Sequence, residues 1–393
     1  MILEKTNTQL ISSIEETLES HTGVLNTVGL EEGILGLSLF NYYRYLSTKD
    51  ETYLHRVSSY LEQSFSYLSD SNGVRSINFL DLIEMAKYLC FLHREDIIDT
   101  TDTKEYLDVL NPHIKVFLDK KIQEKDLDAI SGIIAVGHYY LEASHLTNHT
   151  IALEEIVDII DTLSISSKNT TYWKFSFRDK ENLTIETGFI HGIAGVLFFL
   201  ALAFEKGIKK DTCKRLIERG ARFLQEHQKD QGVNLFTFEL QSGEQLFYQS
   251  LVYGDVGIGY AIYRIGNILK HQDYVDQGIH ILENTLKFRD SENILIKDAE
   301  LIYGASGLFA LYSDLASETN NSLFKNASQY WLDKISIHSD NDTPWAGYDT
   351  YKNGFDEYIQ LSFSHGVCGI GIALMSHEMG LDHRKYLTFF NYK

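Results

Sequence analysis

Residues 186–204 read ETGFIHGIAGVLFFLALAF, and the fold turns on how this stretch is understood. Gly188, His191, Gly192 and Gly195 are followed by an unbroken run of Val, Leu, Phe and Ala. Gly192 and Gly195 are three apart, the spacing that puts two residues on one face of a helix. Without Cβ atoms there, another backbone can come close. The run that follows is apolar on every side, which predicts a buried helix rather than an amphipathic surface one. The stretch therefore predicts a loop that delivers His191 to the start of a buried helix.

The pattern recurs. Leading glycines stand at 33, 132, 192, 254, 304 and 366, each with a second glycine three residues on, at 36, 135 being the one exception, where Ala replaces it. Their spacing is 50 to 62 residues apart from a first gap of 99, and a glycine-less apolar segment at 79–92 fills that gap. Between them lie segments of amphipathic helical spacing, at 1–20, 52–68, 104–121, 153–163, 211–228, 274–286 and 323–335. A fixed period of 50 to 60 residues marks an array of supersecondary units. Seven units, each with an outer amphipathic and an inner apolar helix, predict an all-α fold. Inner helices apolar all round need neighbours on both sides, so the array is expected to close as an α/α toroid, a double ring of about seven inner and seven outer helices. Alternating segments at 171–177 and 234–240 predict short strand-like loops at one rim. The whole chain, 1–393, is expected to form a single domain.

Composition narrows the function. The net charge is −20, which argues against a phosphate-neutralising surface, and no nucleic-acid partner is expected. Cys90, Cys213 and Cys368 are far apart and form no CxxC pair, so neither a disulfide framework nor a cysteine knuckle is expected. That fits a reducing, cytoplasmic setting. The acidic N-terminal segment lacks the apolar core of a signal peptide, and no apolar run is long enough for a membrane span. No phosphate loop follows Gly254, and no Gly-x-Ser-x-Gly elbow occurs. His365, His377 and Cys368 match no standard metal spacing.

The residues before the leading glycines are Glu32, Ser131, His191, Tyr253, Tyr303 and His365. In a closed array they would converge on one mouth, where histidine, tyrosine and carboxylate side chains can do acid–base work. Asp128, four before Gly132, is placed to orient or charge-assist such a histidine.

From about residue 20 to 380 the chain resembles the lanthionine synthetase C-like family. The most specific match is Gly188-Phe-Ile-His191-Gly192-Ile-Ala-Gly195; Asp128-Ala-Ile-Ser-Gly132, Leu251-Val-Tyr-Gly254 and Ile302-Tyr-Gly304 match three further motifs. The resemblance implies a double ring of helices and a ribosomally made precursor peptide as substrate. In the family, two cysteines and a histidine bind zinc, which activates a substrate thiol for addition to a dehydrated serine or threonine. The matching positions here are Val252, Ile302 and Tyr303, and an arginine of the family is replaced by Tyr248. Val and Ile cannot ligate a metal, so no metal and no cofactor are expected.

Three readings follow. The first is metal-free peptide modification or cyclisation, of the lanthipeptide type, with His191, Asp128 and Tyr253 catalytic and Tyr303, Tyr248, His365 and Asp255 binding substrate. The second is a catalytically degenerate cyclase that binds a peptide or a partner such as a dehydratase-type modifying enzyme. The third is an α/α-toroid enzyme on carbohydrate, which would need two carboxylates, with Glu32 or Asp255 beside Asp128.

Overall fold

The computed structural model describes residues 5–25, 27–69, 78–176, 182–241, 249–290, 294, 296–350 and 356–393. In chain order the helices are α1 (Asn7–Ser20), α2 (Ile34–Thr48), α3 (Thr52–Ser69), α4 (Phe79–Arg94), α5 (Thr100–Glu124), α6 (Ile133–Ala143), α7 (Thr150–Leu163), α8 (Ile193–Glu205) and α9 (Lys210–His227). They continue with α10 (Asp255–Leu269), α11 (Gln272–Leu286), α12 (Ala305–Thr319), α13 (Ser322–Ile337), α14 (Glu357–Leu361), α15 (Val367–Met379) and α16 (Arg384–Leu387). The glycine-led helices α2, α6, α8, α10, α12 and α15 are buried, as the repeat predicts, and so is the glycine-less α4, with Met85, Ala86 and Tyr88–Leu92 fully buried. In α8 every residue from Ile193 to Ala201 is buried. Its neighbour α9 buries only a stripe containing Cys213, Leu216, Ile217, Gly220, Phe223 and Leu224. Among the described residues, no helix is long and apolar enough to cross a membrane.

Two compact units divide the chain. Leu89–Leu295 forms one, and Met1–Tyr88 with Ile296–Lys393 forms the other. In the first, α8 packs against α6, α9 and α10, and α10 packs against α11. In the second, α15 packs against α1, α2 and α12, while α2 and α12 lie on α3 and α13.

Among the described residues, regular strand is scarce. β1 (Ile165–Ser167) pairs antiparallel with β2 (Thr170–Tyr172), Ile165 opposite Tyr172. The alternation at 171–177 thus yields a strand that ends at Tyr172, with Phe175 joining Thr184 by an isolated bridge. The strand expected over 234–240 reduces to one bridge, Glu186 to Glu239. Its backbone donors at Leu235 and Phe236 go to the carboxylate of Asp255 instead of a neighbouring strand.

The glycines act differently from the expectation drawn from their spacing. The first of each pair is the N-cap residue, not part of the helix: Gly33, Gly132, Gly192, Gly254, Gly304 and Gly366. None of these caps has a side chain to satisfy the helix's first N–H groups, which are left without intrahelical acceptors. The backbone does it. The N–H of the first helical residue donates to the carbonyl seven residues upstream in four cases: Ile34 to Thr27, Ile133 to Asp126, Ile193 to Glu186 and Ala305 to Asp298, at 2.8–3.0 Å. The loop must curl tightly under its own helix to reach. A Cβ on Gly192 would lie 2.4 Å from the Gly188 nitrogen, and one on Gly195 would lie 2.0 Å from the Phe189 oxygen. Both approaches are to backbone, which cannot swing aside.

A direct prediction follows. Gly195→Ala is expected to lower stability by about 1–3 kcal/mol, the usual cost of overpacking. Gly23→Ala, where an added Cβ meets nothing within 4 Å, should change it by less than about 0.5 kcal/mol. Urea unfolding followed by circular dichroism measures both. Equal midpoints for the two variants would contradict the close-approach argument.

Candidate acid–base site

In the Leu89–Leu295 unit, the loops before α6 and α8 are tied together by the Ala129 N–H donating to the Ile190 carbonyl at 3.1 Å. That contact brings the two chemical side chains into register. Asp128 is buried, and its two oxygens have separate tasks. Oδ1 accepts from the Ile130 and Ser131 N–H groups at 3.0 and 2.8 Å and from the Ser131 hydroxyl at 2.9 Å. Oδ2 lies 2.5 Å from His191 Nδ1. Three donors on one oxygen fix the carboxylate plane, so the other oxygen is aimed at the imidazole.

The carboxylate cannot donate when ionised, so the bond assigns the Nδ1 proton to His191 and leaves Nε2 for proton transfer. Burial alone would raise the Asp128 pKa. The charge and hydrogen bond of His191, with the two backbone donors, outweigh it and hold the carboxyl below its ordinary value. His191 itself is only 7% exposed. The Tyr253 ring lies 5.9 Å from the imidazole at 40°, and Phe238 meets Tyr253 edge-on at 5.2 Å. Thr187, Gly188, Phe236, Phe238, Tyr253 and Asp255 line a small recess beside this cluster.

Asp255 is fully buried. Its carboxylate accepts from the Leu235 and Phe236 N–H groups at 2.5 and 3.2 Å. It therefore anchors the 235–236 backbone at the wall of the recess. Burial pushes its pKa up to about 7, more than the two backbone donors bring it down. The carbohydrate reading loses ground here, since Asp128 is engaged by His191 and Asp255 by backbone. Tyr248 lies outside the described residues.

Tyr303, His365 and Glu32 belong to the other unit, and that unit brings them together. The Tyr303 ring stacks on His365 at 5.5 Å and 18°. His365 Nε2 is 3.9 Å from Glu32 Oε1, and its Nδ1 is 2.6 Å from Glu300 Oε2. Glu300 is a residue the motif reading did not select. It had a signal: it precedes Gly304 by four, as Asp128 precedes Gly132.

Zinc can be tested against the side chains present. At the positions matching the family's ligands, Val252 and Ile302 are buried hydrocarbons with no lone pair to offer. Cys90, Cys213 and Cys368 are buried elsewhere, and the Cys368 thiol donates to the Gly36 carbonyl at 3.2 Å. Burial pushes the Cys213 thiol up to about 12, far from the thiolate that zinc binds. Among the described residues no group of three or more His, Cys, Asp or Glu is placed to hold a metal. The residues present do not fit a zinc site of the family's kind.

Comparison with known proteins places this architecture. The fold matches that of nisin cyclase over 98% of this chain and 96% of that one, with a TM-score of 0.72 and 20% sequence identity. The fold class is therefore the all-α, α/α-toroid class. A sugar epimerase from a ruminal bacterium aligns over 95% of this chain and the whole of that one, at 8% identity and a TM-score of 0.42, too low to bear on the fold. None of the curated proteins compared matches significantly. The lanthionine synthetase C-like protein model matches residues 25–296 and 287–391, and the chain belongs to that family.

The buried Asp255 gives a pH prediction. A carboxyl whose folded pKa is raised stabilises the fold fully below its unfolded value near 4 and loses that contribution as pH rises through about 7. Asp255→Asn should flatten the decline in stability between those limits, measured by urea unfolding across the range. An unchanged slope would show that Asp255 does not titrate there.

Proposed function

We propose that this protein modifies a ribosomally made peptide by metal-free acid–base chemistry, closing a thioether ring by adding a cysteine thiol to a dehydrated serine or threonine. The observation that carries the reading is the 2.5 Å contact of His191 Nδ1 with a buried Asp128 whose other oxygen is held by three donors. In this reading, residues 1–393 act as one domain inside the cell.

The step balances within the substrate. His191 Nε2 takes the thiol proton, and the sulfur forms a C–S bond to the β-carbon as the C=C π bond breaks. The imidazolium then returns the proton to the α-carbon, and no mass is lost. Asp128 stabilises the imidazolium while it exists, as the orienting carboxylate does in other histidine-based sites. Tyr253 walls the imidazole and, with Phe238 against it, limits where the reacting thiol can stand. Desolvation in the recess opposes thiolate formation, so the enzyme is expected to be slower than a metal-assisted one. The dehydrated residue must be made first, which puts a dehydratase-type modifying enzyme upstream and makes it the natural partner.

A second reading has its own support. Hydrocarbon side chains at 252 and 302 and a tyrosine at 303 are what a cyclase that has become a peptide-binding protein would carry.

A synthetic peptide with one dehydroalanine and one cysteine separates the two. The first reading expects thiol loss without a change in mass, insensitive to a chelator, and slowed by His191→Ala about 100-fold or more. Asp128→Asn should slow the reaction while leaving peptide affinity unchanged. Equal rates for wild type and His191→Ala would remove His191 from the chemistry, and a wild-type rate no faster than the peptide alone would transfer the support to the binding reading. Loss of activity to a chelator, restored by zinc, would overturn the metal-free step.

A further inference from the structure

The unit formed by Met1–Tyr88 and Ile296–Lys393 contains a second histidine built into the fold in the same way as His191. His365 directly precedes the N-cap glycine of α15, as His191 precedes that of α8. Its carboxylate partner, Glu300, comes from four residues before the N-cap glycine of the preceding buried helix, α12, as Asp128 does for α6. The sequence separations are 65 and 63 residues. In both cases Nδ1 faces the carboxylate, at 2.6 and 2.5 Å, and in both the carboxylate is almost fully buried, Glu300 at 1% exposure and Asp128 at 3%. A tyrosine ring lies against each imidazole.

The loops are locked in a parallel manner too. The Ile302 N–H donates to the Ser364 carbonyl at 3.2 Å, tying the α12 loop to the α15 loop as Ala129 and Ile190 tie theirs. His365 is further fixed through its backbone, its N–H donating to the Ser362 hydroxyl and its carbonyl accepting from the Thr350 hydroxyl at 2.6 Å. A histidine needed only for packing would not call for a buried ionisable partner, because an unpaired buried carboxylate is costly. On the open side stand Tyr303 and Glu32, both partly exposed, with Glu32 Oε1 3.9 Å from Nε2. Glu31 lies within electrostatic reach of His365, and Lys87, Asp81 and Glu84 lie around Glu31 in turn.

We infer that His365, held by Glu300, is a second proton-transfer residue acting on the same thiol- and dehydroamino-acid-bearing peptides. The inference rests on the proposed function for the substrate class but not on His191. The step is the same addition: the thiol proton moves to His365 Nε2, the C–S bond forms as the C=C π bond breaks, and the proton returns to the α-carbon. Glu300 stabilises the imidazolium, and Tyr303 supplies the wall that Tyr253 supplies in the other unit.

The test uses the dehydroalanine–cysteine peptide with full-length protein. His191→Ala is expected to retain a residual rate above that of the peptide alone. His365→Ala in the His191→Ala background should lower that residual rate about 100-fold or to the uncatalysed level. Glu300→Gln in the same background, which keeps the size and a hydrogen-bonding side chain, should also lower it and guards against a folding defect at His365. A double variant as fast as His191→Ala, or a His191→Ala rate equal to peptide alone, overturns the inference and leaves the His191 reading intact. If His191→Ala matches wild type while His365→Ala loses the activity, the His191 reading fails and this one stands. Absence of cyclisation by the wild type overturns both.

Discussion

The structure depends on one backbone constraint. Each glycine-led helix must begin without a side-chain cap, and in four of the six the first helical N–H is met by a carbonyl seven residues upstream in the loop that leads into it. Closing that loop leaves no room for a Cβ at those N-cap positions, and a Cβ would also meet backbone at Gly195 and Gly369, the second glycines of their pairs. The cost is conformational, since glycine surrenders more freedom on folding than any other residue. The return is positional. The residue just before the glycine is held at the start of a buried helix by backbone geometry, helped at His365 and Tyr253 by a serine hydroxyl three residues upstream. His191, Tyr253, Tyr303 and His365 all occupy that place.

Positional rigidity is what acid–base chemistry without a metal requires. A bound zinc would turn a thiol into a thiolate by charge alone. A histidine must instead be kept in one tautomer, at one orientation, beside a group that stabilises its charged form. Asp128 does this with a division of labour between its oxygens. Its own loop immobilises Oδ1, so Oδ2 is left to the imidazole. The same logic explains why burial does not neutralise Asp128 although it nearly does so for Asp255. Asp128 has an ionisable partner that can share the charge, whereas Asp255 has only backbone dipoles.

Much of this was legible in the sequence. The period of the leading glycines and the all-round apolarity of residues 193–204 were enough for the fold class and for seven pairs of helices. The pairing of Asp128 with His191 was also within reach, because both occupy fixed offsets from leading glycines. Less legible was the task of the glycines, since a three-residue spacing describes a helix face equally well as a cap followed by a helical residue. The strand over 234–240 failed for a related reason: alternation reports which side chains are buried, not where the backbone donors go, and here Asp255 takes them. Asp255, named from the sequence as a substrate-binding residue, is the first residue of α10, and its hold on the 235–236 backbone was not visible in the motif. Glu300 went unselected because the four-residue offset was applied to Asp128 alone.

The central claim is that His191 works from a carboxylate-held tautomer with no metal on the ring. Imidazole nitrogen-15 NMR of the histidine-labelled protein, with and without added zinc, tests it most directly. The account predicts a far-downfield proton on His191 Nδ1 that vanishes in Asp128→Ala and is unmoved by zinc. A His191 ring with its only proton on Nε2, or one whose nitrogen resonances shift on zinc binding, would contradict it.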